Sequence, residues 1–155
     1  TPLDILAIHH NENPAKAETA VPYVRSLIAS GDMAGADRIA RSVAERSPGA
    51  ADAHMLVGDT QLALGNPPGA MTAFESAARI RFSENILLRM TESMRRQEQL
   101  DQAGAMVTRF LNQNPGNIMA SRMLARNWLP RPAPSDAPLT RPAISTNSMA
   151  AGMSL

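Results

Sequence analysis

Three histidines and one nearby acid are the residues best suited by type to bind a metal ion. His9, His10 and Glu12 lie close together near the start of the chain, and His54 stands alone. Adjacent residues on a helix point about 100° apart, so His9 and His10 are poorly arranged to ligate one ion. The chain has no cysteine that could complete a site. The sequence therefore predicts no metal site and no cofactor.

The serines and glycines form no catalytic pattern. No serine stands in a nucleophile-elbow motif beside a suitable base. The stretch from Gly65 to Gly69 contains Pro67 and Pro68, which remove backbone N–H groups that a phosphate needs. This stretch is better explained as a turn between two helices. We therefore predict that the protein is not an enzyme.

Charge and hydropathy argue against two further classes of function. The formal net charge is +1, too small to indicate nucleic acid or an anionic membrane as a partner. No apolar run approaches the roughly 20 residues that span a bilayer. Hydrophobic residues make up 44% of the chain, but aromatic residues only 3%, so Ala, Leu, Ile, Val and Met must build the core. This composition predicts an all-α protein.

Residues 51–83 contain two helical patterns separated by the Gly65–Gly69 break. Apolar residues recur three and four positions apart in the second pattern, as one face of a helix requires. Gly58 in the first pattern and Ala70 in the second are small enough for two antiparallel helices to approach closely. Phe74, one turn after Ala70, can then cover that contact. We predict that these two helices form a hairpin.

A period of 33 to 34 residues repeats this hairpin along the chain. Pro14, Pro48, Phe82 and Pro115 mark the period, which is typical of helical arrays. We predict a helix in residues 1–16 and an array over residues 17–129. The array divides into the units 17–50, 51–83 and 84–116 and a capping helix, 117–129. The proline-rich tail, 130–155, is predicted to be extended or disordered, with docking in a groove as the alternative.

The turns within the units carry recognisable end signals. Gly31 and Gly65 are placed to close the first helices, and Asp32 and Asn66 to cap the second. Glu98 stands where the other units have glycine, so we expect this turn to be looser or differently capped. Pro22 lies inside the first helix of unit 17–50, and we expect that helix to start late, near residues 19–21.

The three units resemble the tetratricopeptide repeat (TPR) family, whose motif is W-x2-L-G-x2-Y, then A-x3-F, then P. The middle unit shows Val57-Gly58, then Ala70-x3-Phe74; the first shows Tyr23-Val24, then Ala36-x3-Ala40 and Pro48; the third shows Met90-Thr91, then Ala103-x3-Val107 and Pro115. The resemblance implies an α-solenoid of about three helix-turn-helix repeats. It also implies that the helix in 1–16 is the second helix of an earlier unit.

By this resemblance, the first helix of each unit lines a concave groove that binds a partner. The implied lining residues are Val21, Arg25, Ile28, Met55, Asp59, Leu62, Leu88, Glu92, Arg95, Arg96, Ser121 and Trp128. Arg95, Arg96 and Trp128 are the candidate hot spot, because arginine and tryptophan often anchor interfaces. The alternative is that Arg95 and Arg96 are solvated and pair with Glu92 or Glu98. The chaperone-binding branch of the family carries Lys and Asn in this groove, so we do not expect that activity here.

The resemblance implies a non-catalytic scaffold for protein–protein interaction that holds an extended peptide or an amphipathic helix. The arginine bias and alanine content are compatible with a bacterial gene. We expect a cell-envelope assembly, such as secretion, pilus or polysaccharide export, and favour periplasm or envelope over cytoplasm. One alternative is a homo-oligomer in which the C-terminal tail docks in a neighbouring subunit. The other is helical-repeat RNA binding, against which the near-neutral charge argues.

Overall fold

The computed structural model describes residues 1–128, and these residues form eight α-helices and no strand. The helices are α1 (Pro2–Glu12), α2 (Ala17–Ala29), α3 (Met33–Arg46), α4 (Ala51–Ala63), α5 (Pro67–Ile80), α6 (Glu84–Arg96), α7 (Leu100–Gln113) and α8 (Ile118–Asn127). Leu129 and the predicted tail, 130–155, lie outside the described residues. None of the eight helices is both long and apolar enough to cross a bilayer.

Each helix packs against the next one in the chain, and the first helices of successive pairs also contact each other. The pairs are α2–α3, α4–α5 and α6–α7. The additional contacts join α2 to α4 and α4 to α6. This pattern is that of a stacked array in which each unit touches its neighbours. It confirms the predicted all-α solenoid.

The core consists of three apolar clusters, each built by three consecutive helices. The first lies between α2, α3 and α4, the second between α4, α5 and α6, and the third between α6, α7 and α8. A first helix therefore contributes to the cluster of its own pair and to that of the preceding pair. Because neighbouring clusters share helices, the array has no break along its length.

The closest approach within a pair is the predicted one between α4 and α5. Phe74 is fully buried, and its ring lies directly against the backbone at Gly58. A Cβ atom at Gly58 would lie 2.7 Å from Cζ of Phe74, which is closer than real side chains pack. Any larger residue at position 58 would force α4 and α5 apart.

The three turns inside the pairs share one backbone geometry. Gly31, Gly65 and Glu98 all have positive φ, at 86°, 74° and 58°. In each turn the amide of the following residue bonds the carbonyl of Leu27, Gln61 or Met94 at 2.9 Å. The expectation of a looser third turn is wrong, because this hydrogen bond holds Glu98 in the left-handed conformation.

The caps differ as predicted. The carboxylate of Asp32 accepts a hydrogen bond from the Gly35 amide, and the side chain of Asn66 accepts one from the Gly69 amide. Gln99 stands at the same place before α7 and makes no side-chain cap. The third turn therefore keeps the shape of the others with fewer stabilising contacts.

Helix α2 begins earlier than expected. It starts at Ala17 and contains Pro22 in its second turn, so the predicted start near residues 19–21 is wrong. Proline removes only the hydrogen bond to the carbonyl four residues earlier, here that of the exposed Glu18. Burial of Val24 and Leu27 holds the helix in place despite that loss.

Candidate functional site

The N-cap residues set a common register for the first helices. They are Lys16, Ala50, Ser83 and Asn117, which stand 34, 33 and 34 residues apart. Residues at the same distance from these caps occupy equivalent places on α2, α4, α6 and α8. Five residues after the cap stand Val21, Met55, Leu88 and Arg122; nine after it stand Arg25, Asp59, Glu92 and Arg126.

These equivalent residues converge on a groove between α2, α4 and α6 with a volume of about 590 Å³. Seven residues predicted for the groove line it: Val21, Arg25, Ile28, Met55, Asp59, Leu62 and Arg96. The apolar members form a floor that is only half-buried, with charged groups beside it. We call this surface the α2–α4–α6 groove.

Three charged residues of the groove were not among the predicted set. Arg89 of α6, Asp52 of α4 and Glu18 of α2 also line it. Arg89 stands six residues after its N-cap, where the other units carry Pro22, Leu56 and Met123. Equivalent residues elsewhere are uncharged at this place, so a comparison of the units could not have found Arg89.

Asp59 forms the electrostatic centre of the groove. Its Oδ1 lies 3.2 Å from Nε of Arg89, which joins α4 to α6 across the groove. This oxygen is fully buried and has no aligned hydrogen-bond donor within residues 1–128. Burial raises the pKa of Asp59 above its ordinary value, and the positive charges of Arg89 and Arg25 partly oppose this rise.

The other predicted residues of α6 lie beside this groove. Glu92, Arg95 and Arg96 line a second depression of about 640 Å³. Nε of Arg96 donates to Glu92 at 3.0 Å, and Nη1 of Arg95 lies 4.0 Å from the same carboxylate. Both arginines therefore pair with Glu92, as the alternative interpretation stated. Leu88 is 43% exposed on the same helix.

The structure does not place Ser121 and Trp128 in register with the groove. Trp128 stands eleven residues after its N-cap, where the other first helices carry the buried Leu27, Gln61 and Met94. Its indole packs against Gly104 of α7, and Nε1 donates to the Leu100 carbonyl at 2.7 Å. This side chain is thus engaged inside the chain, and its predicted role as a hot spot remains untested.

Arg122 and Arg126 occupy the groove positions on α8. They line a third depression of about 450 Å³ together with Ile118, Met119, Met123 and Asn127. The prediction missed them because it gave the third unit 33 residues, whereas the N-caps Ser83 and Asn117 stand 34 apart. Recognition of the shared Ser and Asn capping signal would have found the correct register.

The histidines are separated by their helix. His10 is 3% exposed and its ring lies 5.7 Å from the ring of Tyr23, whereas His9 is exposed and lies 3.8 Å from Glu12. Within residues 1–128, no group of three or more His, Cys, Asp or Glu side chains has the arrangement of a metal site. The groove offers apolar contact and charge for a ligand.

Comparison with known proteins gives information at the level of structure. No family model and no curated protein matches the sequence. A thermophilic TPR protein of Thermus thermophilus is similar with a TM-score of 0.65 at 17% identity, over 79% of this chain and 69% of that one. YrrB, a TPR protein with an unusual peptide-binding site, matches with a TM-score of 0.56 at 18% identity.

The match to YrrB covers 77% of this chain and 62% of YrrB. MamA is similar with a TM-score of 0.58 at 14% identity, over 79% of this chain and 67% of MamA. Identities this low show the fold alone. Together with the repeated helix pairs and their shared turns, they confirm the predicted resemblance: the chain has the TPR fold, an α-solenoid of stacked helix pairs.

Proposed function

We propose that this protein is a non-catalytic scaffold for protein–protein interaction that binds a segment of a partner in the α2–α4–α6 groove. One observation carries the proposal. Residues from three helices that are far apart in sequence meet around one groove, and their types are those expected of a binding surface. The groove volume of about 590 Å³ lies in the range of roughly 300–1,000 Å³ that is typical of binding sites.

The floor of the groove supplies the driving force for binding. Val21, Ile28, Met55 and Leu62 are half-buried in the isolated chain. Each would lose further contact with water under an apolar side chain of a partner, at roughly 25 cal/mol per Å² of apolar surface. Methionine adapts its shape to different partners, so Met55 suits a surface that receives a flexible segment.

The charges beside the floor supply direction and specificity more than affinity. Arg25, Asp59 and Arg89 lie on three successive first helices. Exposed ion pairs contribute little net free energy, but they orient a partner and disfavour unsuitable ones. YrrB, whose fold is similar, has a peptide-binding site, and this supports a peptide segment as the class of ligand.

Selection from a random peptide library displayed on phage tests the proposal. The wild-type chain should enrich peptides whose binding is lost in Met55→Asp, because a carboxylate in the floor would have to be buried without a partner. Met33→Asp is the matched control, since Met33 is 40% exposed at the start of α3, away from the groove. Selected peptides that bind Met55→Asp as tightly as wild type would contradict the proposal.

We also propose a bacterial cell-envelope setting, such as a secretion, pilus or polysaccharide-export assembly. Support comes from the family resemblance and the arginine-rich composition of the sequence. Fractionation of cells of the source organism, with antibody detection, tests this setting. Recovery in the cytoplasmic fraction alone would contradict it and would leave the groove proposal unaffected.

A further inference from the structure

The first helices divide into two regions of opposite charge. Helices α2 and α4 carry three acidic residues, Glu18, Asp52 and Asp59, against one arginine, Arg25. Helices α6 and α8 carry five arginines against two glutamates; the arginines are Arg89, Arg95, Arg96, Arg122 and Arg126. The whole chain is nearly neutral, so this separation is hidden in the net charge.

The apolar floor belongs to the acidic region. Five residues after the N-cap, the side chain is Val21 on α2, Met55 on α4 and Leu88 on α6, but Arg122 on α8. Twelve residues after the cap it is Ile28 and Leu62, then Arg95. The row that faces a ligand therefore changes from apolar to cationic along the array.

The arginines of α8 differ from those of α6 in having no acidic neighbour. Arg95 and Arg96 share Glu92, and Arg89 pairs with Asp59. Within residues 1–128, neither Arg122 nor Arg126 has a carboxylate oxygen within 4 Å. Both are exposed and line the depression beside Met119 and Met123. An acidic side chain could there combine an ion pair with apolar contact.

We infer that the partner segment is divided along its length, with apolar residues over α2 and α4 and a cluster of aspartates or glutamates over α6 and α8. This inference rests on the proposed function and adds the chemistry and direction of the ligand. A protein segment fits better than a nucleic acid, because Glu18, Asp52 and Asp59 would repel a continuous phosphate backbone beside the apolar floor.

The polarity of the surface also fixes the direction of binding. A segment laid the opposite way would place its acids beside Asp52 and Asp59 and its apolar residues among the arginines. Exposed ion pairs are weak and screened by salt. The acid cluster should therefore affect direction, association rate and salt dependence more than the affinity at high ionic strength.

Phage display of random peptides of about 16 residues, which span roughly 50 Å when extended, tests the inference. Peptides selected on the wild-type chain should carry an acidic cluster at one end and apolar residues at the other. Arg122→Glu/Arg126→Glu should weaken their resynthesised forms by roughly 2- to 30-fold at low salt. The difference should shrink as salt rises.

Arg38→Glu/Arg79→Glu is the matched control. It makes the same change of net charge on two exposed arginines of the second helices α3 and α5, and it should leave affinity unchanged. A photo-crosslinker at the acidic end of a selected peptide should label α8, and one at the apolar end should label α2. Circular dichroism confirms that each variant is folded.

The outcomes separate the two proposals. Peptides that require Met55 but lack an acidic cluster, or that crosslink in the opposite direction, overturn this inference and leave the groove proposal intact. Failure to select any peptide that depends on Met55 overturns the groove proposal itself. Preferential binding of single-stranded RNA that competes with the peptides, and that Arg122→Glu/Arg126→Glu abolishes, would also overturn the inference.

Discussion

The middle of the array and its ends are held by different kinds of contact. Helix α4 buries seven of its residues, whereas α1 buries only His10 and α8 only Ala120. In the middle, the ring of Phe74 lies on Gly58, and Ile86 and Met90 are fully buried beside it.

The ends rely on polar aromatic residues. His10 packs on Tyr23, but its Nδ1 is buried and has no hydrogen-bond partner within residues 1–128. Trp128 packs on Gly104 and donates one hydrogen bond to Leu100. The comparison teaches that apolar burial stabilises the centre under all conditions, whereas the ends depend on single hydrogen bonds and on a protonation state. Four changes test this difference.

Removal of the central ring should have the largest effect. Phe74→Ala should lower the free energy of unfolding by about 3–5 kcal/mol, because it leaves a cavity between α4 and α5. Urea denaturation followed by circular dichroism measures the change. Ile118→Ala is the control and should change stability by less than about 0.5 kcal/mol, since Ile118 is 68% exposed. Equal midpoints for Phe74→Ala and wild type would contradict the assigned packing.

Removal of the C-terminal indole should have a smaller and local effect. Trp128→Ala should cost about 2 kcal/mol, from lost packing on Gly104 and the lost hydrogen bond to Leu100. Trp128→Phe keeps a ring and should cost about 1 kcal/mol. Hydrogen exchange should show faster exchange in α8 and little change in α4. Equal acceleration in both helices would mean that the end is not separable from the centre.

The turn between α6 and α7 should tolerate glycine better than its present residue. Glu98→Gly should raise the free energy of unfolding by about 1 kcal/mol, because only glycine adopts positive φ without a steric cost. Gly65→Ala, the converse change in the middle pair, should lower it by about 1 kcal/mol. Urea midpoints measure both. A lower midpoint for Glu98→Gly would show that the Glu98 side chain stabilises the turn.

Acidification should weaken the N-terminal end first. Burial lowers the pKa of His10 below its ordinary value, and the positive charge of Arg46 lowers this pKa further. The unfolded chain then binds more protons than the folded one between the lowered pKa and the ordinary value of about 6.5, so stability falls as pH drops through this range. His10→Phe should remove this part of the pH dependence.

Thermal melts between about pH 7 and about pH 5 compare His10→Phe with the wild-type chain. Hydrogen exchange of α1 at the two pH values shows whether the loss is confined to that end. An unchanged pH slope in His10→Phe would assign the dependence to carboxylates elsewhere in the chain.

The sequence by itself determined the local features of this protein. The period, the hairpin of Gly58 and Phe74, the turn glycines and the caps Asp32 and Asn66 all depend on residues a few positions apart. Local spacing also identified seven residues of the groove, because the N-terminal units repeat with the same register. Such features follow from helix geometry and backbone sterics, which act over one or two turns.

Only the tertiary structure decided which residues of α6 and α8 face the groove. One residue of error in the length of a unit rotates every side chain by about 100°, which exchanged Arg122 and Arg126 for Ser121 and Trp128. The ion pair between Asp59 and Arg89 joins helices of different units, so no local spacing predicts it. The left-handed Glu98 and the early start of α2 have the same cause: hydrogen bonding and burial outweigh local preference.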